Sequence, residues 1–174
     1  PILIGGASDR GVVASCSYEA RKYGIHSAMP MKMARERCPE AIVISGNSAN
    51  YTHYSRMVTD IIQDSVPVVE KSSIDEFYMD LSGMDGFFGC YKYAGELRRK
   101  IMKETGLPIS FGMSVNKTVS KIATGEAKPN NQMNVIGGAE KSFLNPLSVQ
   151  KIPMVGLKTY QLLCNLGVKR IGTI

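Results

Sequence analysis

Val68-Val69-Glu70-Lys71-Ser72-Ser73-Ile74-Asp75-Glu76-Phe77-Tyr78-Met79-Asp80-Leu81 is the stretch on which the fold turns. Val68 to Ser72 and Phe77 to Leu81 read as two strands joined by a tight connection. Period-2 alternation puts Asp75, Phe77 and Met79 on one face and Glu76, Tyr78 and Asp80 on the other. Upstream, Ser48 to Ser65 carries Tyr54, Met57, Val58, Ile61 and Ile62 at helical spacing, with Ser48 or Asn50 as cap and Pro67 as stop. Downstream, Phe88 to Thr105 is a second amphipathic helix with Ala94, Leu97, Ile101 and Met102 inward, closed by Gly106 and Pro108. Ile109 to Met113 is a strand, Asn116 caps a helix over Lys117 to Glu126, and Met133 to Ile136 is a last strand. The order β-β-α-β-α-β over Val68 to Ile136, with short connections, predicts an α+β architecture: a sheet under two helices.

Before this block, Ile2 to Ile4 and Val12 to Ala14 flank a glycine-rich turn and read as a hairpin. A short helix over Ser17 to Tyr23 stops at Gly24, and Pro30 opens another that ends before Pro39. Ala41 to Ile44 is a candidate buried strand. The chain begins at Pro1 and stops at Ile174 among apolar residues, so both ends read as cut.

The 174 residues, 44% hydrophobic and 21% charged, are those of a globular chain with one domain or two small ones. No apolar run approaches the ~18 residues that a spanning helix needs. Cys16, Cys38, Cys90 and Cys164 are scattered, without a C-x-x-C or a Cys/His cluster. They read as small buried hydrophobes of a reduced, cytoplasmic protein rather than as disulfides or a zinc site.

The net charge of +6 is a mild sign of a polyanionic partner. Against it, the window Glu70 to Asp85 holds five acids and one base. Asp75 and Glu76 open the second strand of the pair, where twist lets adjacent carboxylates converge on one ion. Two carboxylates in a strand-edge turn suit hard cations such as Mg²⁺ or Mn²⁺. They are also ordinary turn residues, and carboxylates spent on internal ion pairs would undo the cation reading.

Tyr18 and Arg21 lie at i and i+3 on one helical face. An Arg fork with a phenol beside it suits phosphate oxygens. Lys128 enters a turn after a helix. Gly156-Leu157-Lys158-Thr159 lacks the spacing of a phosphate loop and is not one. From Lys141 to Ile174 there are five bases and no acid. Within that tail, Ile152 to Leu157 is a glycine turn at a helix N-terminus, whose amides can hold a phosphate without reading bases. An ordinary helical hairpin is the other reading of that turn.

Taken together, these motifs resemble one family. Ala14-Ser15-Cys16-Ser17-Tyr18-Glu19-Ala20-Arg21-Lys22-Tyr23-Gly24 resembles the fingers motif of Y-family translesion DNA polymerases of the ImpB/MucB/SamB group. Ser73-Ile74-Asp75-Glu76 with Tyr78, Asp80 and Leu81 is similar to that family's acidic palm motif. Asn116-Lys117, Lys121-Ile122-Ala123 and Lys128-Pro129-Asn130 resemble its second palm signature, and Pro153 to Gly172 its thumb helix-hairpin-helix.

The resemblance implies a ferredoxin-like palm at residues 48–136, small fingers at 1–47 and the start of a thumb at 137–174. By the same resemblance, the first palm strand and the C-terminal little-finger domain are expected to lie outside these 174 residues. It implies template-directed transfer of a deoxynucleotide to a primer 3′-OH in DNA damage bypass, with two Mg²⁺ ions ~3.5–4 Å apart, or Mn²⁺ in their place. Asp75 and Glu76 match the catalytic metal ligands, which an Asp of the first palm strand completes. Ser15, Tyr18, Arg21 and Lys128 match the groups around the incoming dNTP. Pro153, Val155, Gly156, Lys158 and Thr159 match the hairpin that grips primer–template DNA. A sliding clamp, through a C-terminal region outside this chain, is a further candidate partner, and no membrane is implied. The 174 residues alone are expected not to polymerise.

Phe77 departs from the family pattern, which has a small residue next to the catalytic Glu, and is expected to crowd the first palm strand. It is the one hint of a non-catalytic DNA-binding protein that keeps the fold. Another two-metal palm enzyme, such as a nucleotide cyclase, shares the strand order, but it has no use for a basic, hairpin-bearing tail.

Overall fold

The structure is a computed structural model that describes residues 1–6, 8–84 and 89–174. It divides into two compact units, Pro1–His53 and Tyr54–Ile174.

In the first unit, strands β1 (Ile2–Gly5) and β2 (Val13–Cys16) pair antiparallel, with Leu3 opposite Cys16. β3 (Ile42–Ile44) adds in parallel on the other edge of β1. The expected hairpin is present, with its second strand starting one residue and ending two residues later than predicted. The Ala41 to Ile44 strand also forms, but it is not buried: Ile42 and Ile44 face solvent at 63% and 47% exposure. An edge strand of three residues turns only its middle side chain, Val43, toward the core. Helix α1 (Tyr18–Arg21) starts where Ser17 Oγ accepts from the Ala20 amide. Helix α2 (Met31–Arg37) follows Pro30, which sits at its N-cap. Leu3, Val13, Cys16, Ala20, Met31, Ala34 and Cys38 close the core; Cys16 and Cys38 here and Cys90 in the second unit are buried as expected, whereas Cys164 is only half-buried.

Helix α3 (Ser48–Gln63) begins one residue after Asn47, whose Oδ1 accepts from the Asn50 amide. The cap is therefore Asn47, not Ser48 or Asn50. All three are good capping residues, and only backbone geometry chooses among them.

In the second unit, β4 (Val68–Lys71) and β5 (Phe77–Asp80) form the predicted antiparallel pair, with Lys71 opposite Phe77 and Glu70 opposite Tyr78. Helix α4 (Cys90–Thr105) ends on the left-handed Gly106. Its expected start at Phe88, and the acid Asp85, lie outside the described residues. Helix α5 (Lys117–Ala127) connects β6 (Phe111–Met113) to β7 (Gln132–Asn134), which pair in parallel. The element order is as read from the sequence. Among the described residues, however, the four strands hydrogen-bond as two separate pairs. Each pair is made by its own connection, a tight turn in one case and the α5 crossover in the other, and nothing local joins them.

Val58, Ile61, Ile62, Val66, Leu97 and Ile101 form the core between α3 and α4, with Val69, Phe77 and Met79 of the hairpin packed on it. A smaller cluster, Val119, Ala123 and Val135, seats α5. Asn116 Oδ1 caps α5 by accepting from the Val119 amide at 2.9 Å. Asn116→Ala is expected to cost about 1 kcal/mol, read as a lower urea midpoint at unchanged slope.

The tail contains α6 (Glu140–Leu144), a 3₁₀ turn at Val149–Lys151, α7 (Leu157–Asn165) and a 3₁₀ turn at Ile171–Thr173. Val149 is fully buried, and its amide donates to the Lys169 carbonyl next to the Ser148–Arg170 bridge. Among the described residues no helix is long and apolar enough to cross a membrane.

Candidate active site

The β4–β5 turn carries the acidic pair. Both Ser72 and Ser73 donate their amides to the Glu76 carbonyl, which closes the turn and leaves Asp75 and Glu76 at its mouth. Ser73 Oγ donates to Asp75 Oδ1 at 2.8 Å. Strand alternation then separates the neighbours. Phe77 and Met79 face the α3–α4 core, while Glu76 and Tyr78 face α5.

Helix α5 answers with lysines at i and i+4. Lys121 Nζ donates to Glu76 Oε2 at 2.7 Å, and Lys117 pairs with Glu70 while lying over the Tyr78 ring. The hydrogen bond to Glu76 holds the Lys121 ammonium above the ordinary lysine range. Desolvation works against it, and the charges of Glu76, Tyr78 and Asp75 add to the rise. Lys121 thus joins the motif that the sequence placed together: Glu76 by a hydrogen bond, and Tyr78 and Asp75 by charge. Asp80 lies beyond it, with its carboxyl held below the usual range by hydrogen bonds from Ser82.

Glu76 is therefore not free of an internal ion pair. The pair is 39% and 43% exposed and engages one carboxylate oxygen. Exposed pairs of this kind contribute about 0–1 kcal/mol, too little to compete with a divalent cation. The donor set fits such a cation. Asp75 and Glu76 offer only hard oxygens, and Mg²⁺ is commonly held by one or two carboxylates with water and substrate phosphates filling the rest. Among the described residues no group of three or more acidic, His or Cys side chains forms a closed metal cage.

Lys128 stands at the C-terminal end of α5, at the start of the Lys128–Asn131 turn. Arg98 of α4 clamps that turn. Its Nε donates to the Ile109 carbonyl, and its Nη2 donates to the Asn130 carbonyl and side chain at 2.7 and 2.6 Å. Asn130 adopts φ +45°, a left-handed geometry that asparagine tolerates. Sequence reading missed Arg98, because thirty-two residues separate it from Asn130.

In the first unit, Tyr18 and Arg21 meet as their spacing predicts, with the guanidinium 5.2 Å from the ring centroid. Such stacking presents a planar fork beside a phenol. Ser15 is exposed on β2, opposite Ile4. In the tail, Gly156 is the N-cap residue of α7 and makes no side-chain cap bond. The first-turn amides of Leu157, Lys158 and Thr159 have no partner within the helix. Pro153 and Val155 lie in the preceding turn, where Val155 donates to the Ile152 carbonyl. Met154 between them is 99% exposed with φ +69°.

Comparison with known proteins bears on this arrangement. The chain spans about half the length of the curated relatives it matches. It is 43% identical over 176 residues to DNA polymerase IV of Dehalococcoides mccartyi, covering 100% of this chain and 45% of the relative. It is 40% identical over 175 residues to DNA polymerase IV of Treponema denticola, covering 100% and 44%. Among solved structures, the crystal structure of DinB from Sulfolobus solfataricus superposes with a TM-score of 0.88 at 28% identity, covering 98% of this chain and 51% of that one. An insertion ternary complex of Dbh DNA polymerase gives 0.85 at 27% identity, covering 97% and 51%. The impB/mucB/samB family model matches residues 1–125, which include the tyrosine–arginine helix, the acidic hairpin and Lys121, and the chain belongs to that family.

Proposed function

We propose that the complete protein is a template-directed DNA polymerase of the damage-bypass type, working on primer–template DNA in the cytoplasm, and that this chain supplies its fingers (1–47), palm (48–136) and the start of its thumb (137–174). The observation that carries the reading is the Asp75–Glu76 pair, held at the mouth of a hairpin beside two lysines of α5, in a chain of the impB/mucB/samB family.

In this reading Asp75 and Glu76 hold Mg²⁺, two ions in the assembled site. When bound, the metal neutralises charge on the attacking 3′-oxygen and the leaving pyrophosphate. The chain's own side chains do the positioning. In the first unit Arg21 and Tyr18, with Ser15, offer a fork, a phenol and a hydroxyl suited to triphosphate oxygens of the dNTP; in the second unit Lys128 offers a phosphate-binding cation on its clamped turn. The first-turn amides of Leu157, Lys158 and Thr159, with Pro153, Val155 and Gly156 shaping the turn, hold a DNA phosphate at the start of α7. Nothing covalent passes through the protein, so rate comes from placement and charge.

Phe77, the sequence's reason for a non-catalytic reading, packs its ring against the α3–α4 core on the face of β5 opposite Glu76. Mg²⁺-dependent primer extension by the complete protein tests the proposal. Incorporation that follows the template supports it, and its absence with DNA affinity intact rejects it. Arg21→Ala is expected to raise the KM for dNTP about tenfold or more, the size of one charge-assisted hydrogen bond, with a smaller change in kcat. Steady-state kinetics on one template reads the split.

A further inference from the structure

Among the described residues Lys71 makes no ion pair, although it stands beside Glu70 in sequence. Its Nζ instead donates to Ser55 Oγ and Thr59 Oγ1, each at 2.9 Å, and lies 5.4 Å from the Phe77 ring centroid. Ser55 is one of two buried polar side chains in the described residues, at 8% exposure. Its hydroxyl donates onward to the Ile74 carbonyl at 2.6 Å, across nineteen residues. Ile74 immediately precedes Asp75.

The consequence is mechanical. A carbonyl oxygen held at 2.6 Å fixes the plane of the peptide it belongs to, here the one joining Ile74 to Asp75. At the other end of the pair, the Glu76 carbonyl is held by the amides of Ser72 and Ser73. The backbone is thus pinned on both sides of the two carboxylates, while their oxygens stay at the turn's mouth. An ammonium donating to the hydroxyl polarises it and strengthens its own donation to the carbonyl. Phe77 fits the same device. Its ring is the floor on which Lys71 rests, and it lies opposite Lys71 in the strand register.

We infer that Ser55 and Lys71 are positioning residues for the metal-holding carboxylates: the relay from Lys71 Nζ through Ser55 Oγ to the Ile74 carbonyl sets where Asp75 presents its oxygens. The inference rests on the reading of Asp75 and Glu76 as a cation seat. Groups that orient a metal ligand without touching the metal typically change metal affinity about 10–100-fold when removed.

The test measures Mn²⁺ affinity by electron paramagnetic resonance on the complete protein bound to primer–template, beside Tm for each variant. Ser55→Ala is expected to weaken Mn²⁺ binding about tenfold. Ser55→Thr, which keeps the hydroxyl, is expected to restore it. Lys71→Met keeps the stem over Phe77 and removes the ammonium with its hydrogen bonds to Ser55 and Thr59. It is expected to weaken binding by less than the loss of about tenfold in Ser55→Ala, since the Ser55 hydroxyl still reaches the Ile74 carbonyl. Should Ser55→Ala not fold, Lys71→Met carries the comparison alone. Lowered Tm with Mn²⁺ affinity unchanged in both variants overturns the inference and leaves the cation seat standing. Failure of the unaltered protein to bind Mn²⁺ overturns both.

Discussion

Asp75→Ala and Glu76→Ala, made separately in the complete protein, are each expected to lower nucleotide incorporation about 10³-fold or more, with primer–template affinity retained. The asymmetry follows from what the two carboxylates touch. Glu76 meets Lys121 in a half-exposed pair, and Asp75 meets the Ser73 hydroxyl within its own turn. Neither supports the core: Asp75 is exposed in the turn, and Glu76 lies on the face opposite Phe77 and Met79, which pack on the α3–α4 core. Removing either acid therefore costs little stability but takes away one of the two negative charges proposed to hold the divalent cation. Removing negative charge also cannot weaken attraction to a polyanion, so DNA affinity should hold or rise slightly. Single-turnover incorporation and fluorescence anisotropy on the same preparations separate the two quantities. A parallel loss of both would identify misfolding in place of catalysis. Asp75→Asn, which keeps shape and removes charge, is expected to behave like Asp75→Ala.

Gly112→Ala is expected to destabilise the second unit by about 3 kcal/mol or more, beyond the usual overpacking cost. A Cβ built at Gly112 would stand 2.4 Å from the Thr124 nitrogen, 2.5 Å from the Ser120 carbonyl oxygen and 2.6 Å from the Ala123 Cβ. Two of those three atoms are backbone of α5 and cannot swing aside. Relief requires β6 and α5 to separate, which breaks the 2.7 Å bond from the Gly112 amide to Thr124 Oγ1 and shifts Lys121 and Lys128. Gly95 in α4 is the contrast. Its Cβ would meet the Gln132 carboxamide at 3.2 Å, the mobile end of a side chain. Gly95→Ala is expected to stay within about 1 kcal/mol of the parent, because helix propensity gained offsets the small shift. Urea denaturation of both variants decides the point, and equal midpoints would mean that the β6–α5 contact yields more easily than its geometry implies.

Much of this molecule was legible in the sequence. The alternation through Phe77, Tyr78 and Met79 placed one face inward and one outward, and the core and the Lys117–Tyr78 stack follow it. Helical spacing marked α3 and α4, Gly106 marked an end, and Asn116 marked the start of α5. The i, i+3 spacing of Tyr18 and Arg21 became a stacked pair. Each of these is a local property, set by backbone period, by a side chain's reach along its own helix, or by a residue's tolerance of a particular φ.

What the tertiary structure alone decided is who meets whom. Lys121 and Glu76 are forty-five residues apart, Arg98 and Asn130 thirty-two, and Ser55 and Ile74 nineteen. The chain holds 21 basic residues, and no rule of spacing says which of them faces the acidic turn. The same holds for β3, whose apolar run promised burial and received an edge, and for four strands that hydrogen-bond as two pairs. Periodicity states which face of an element is apolar. Which other element covers that face, and which charge lands on which, depends on packing volumes summed over the whole unit, and that sum exists only once the chain has folded.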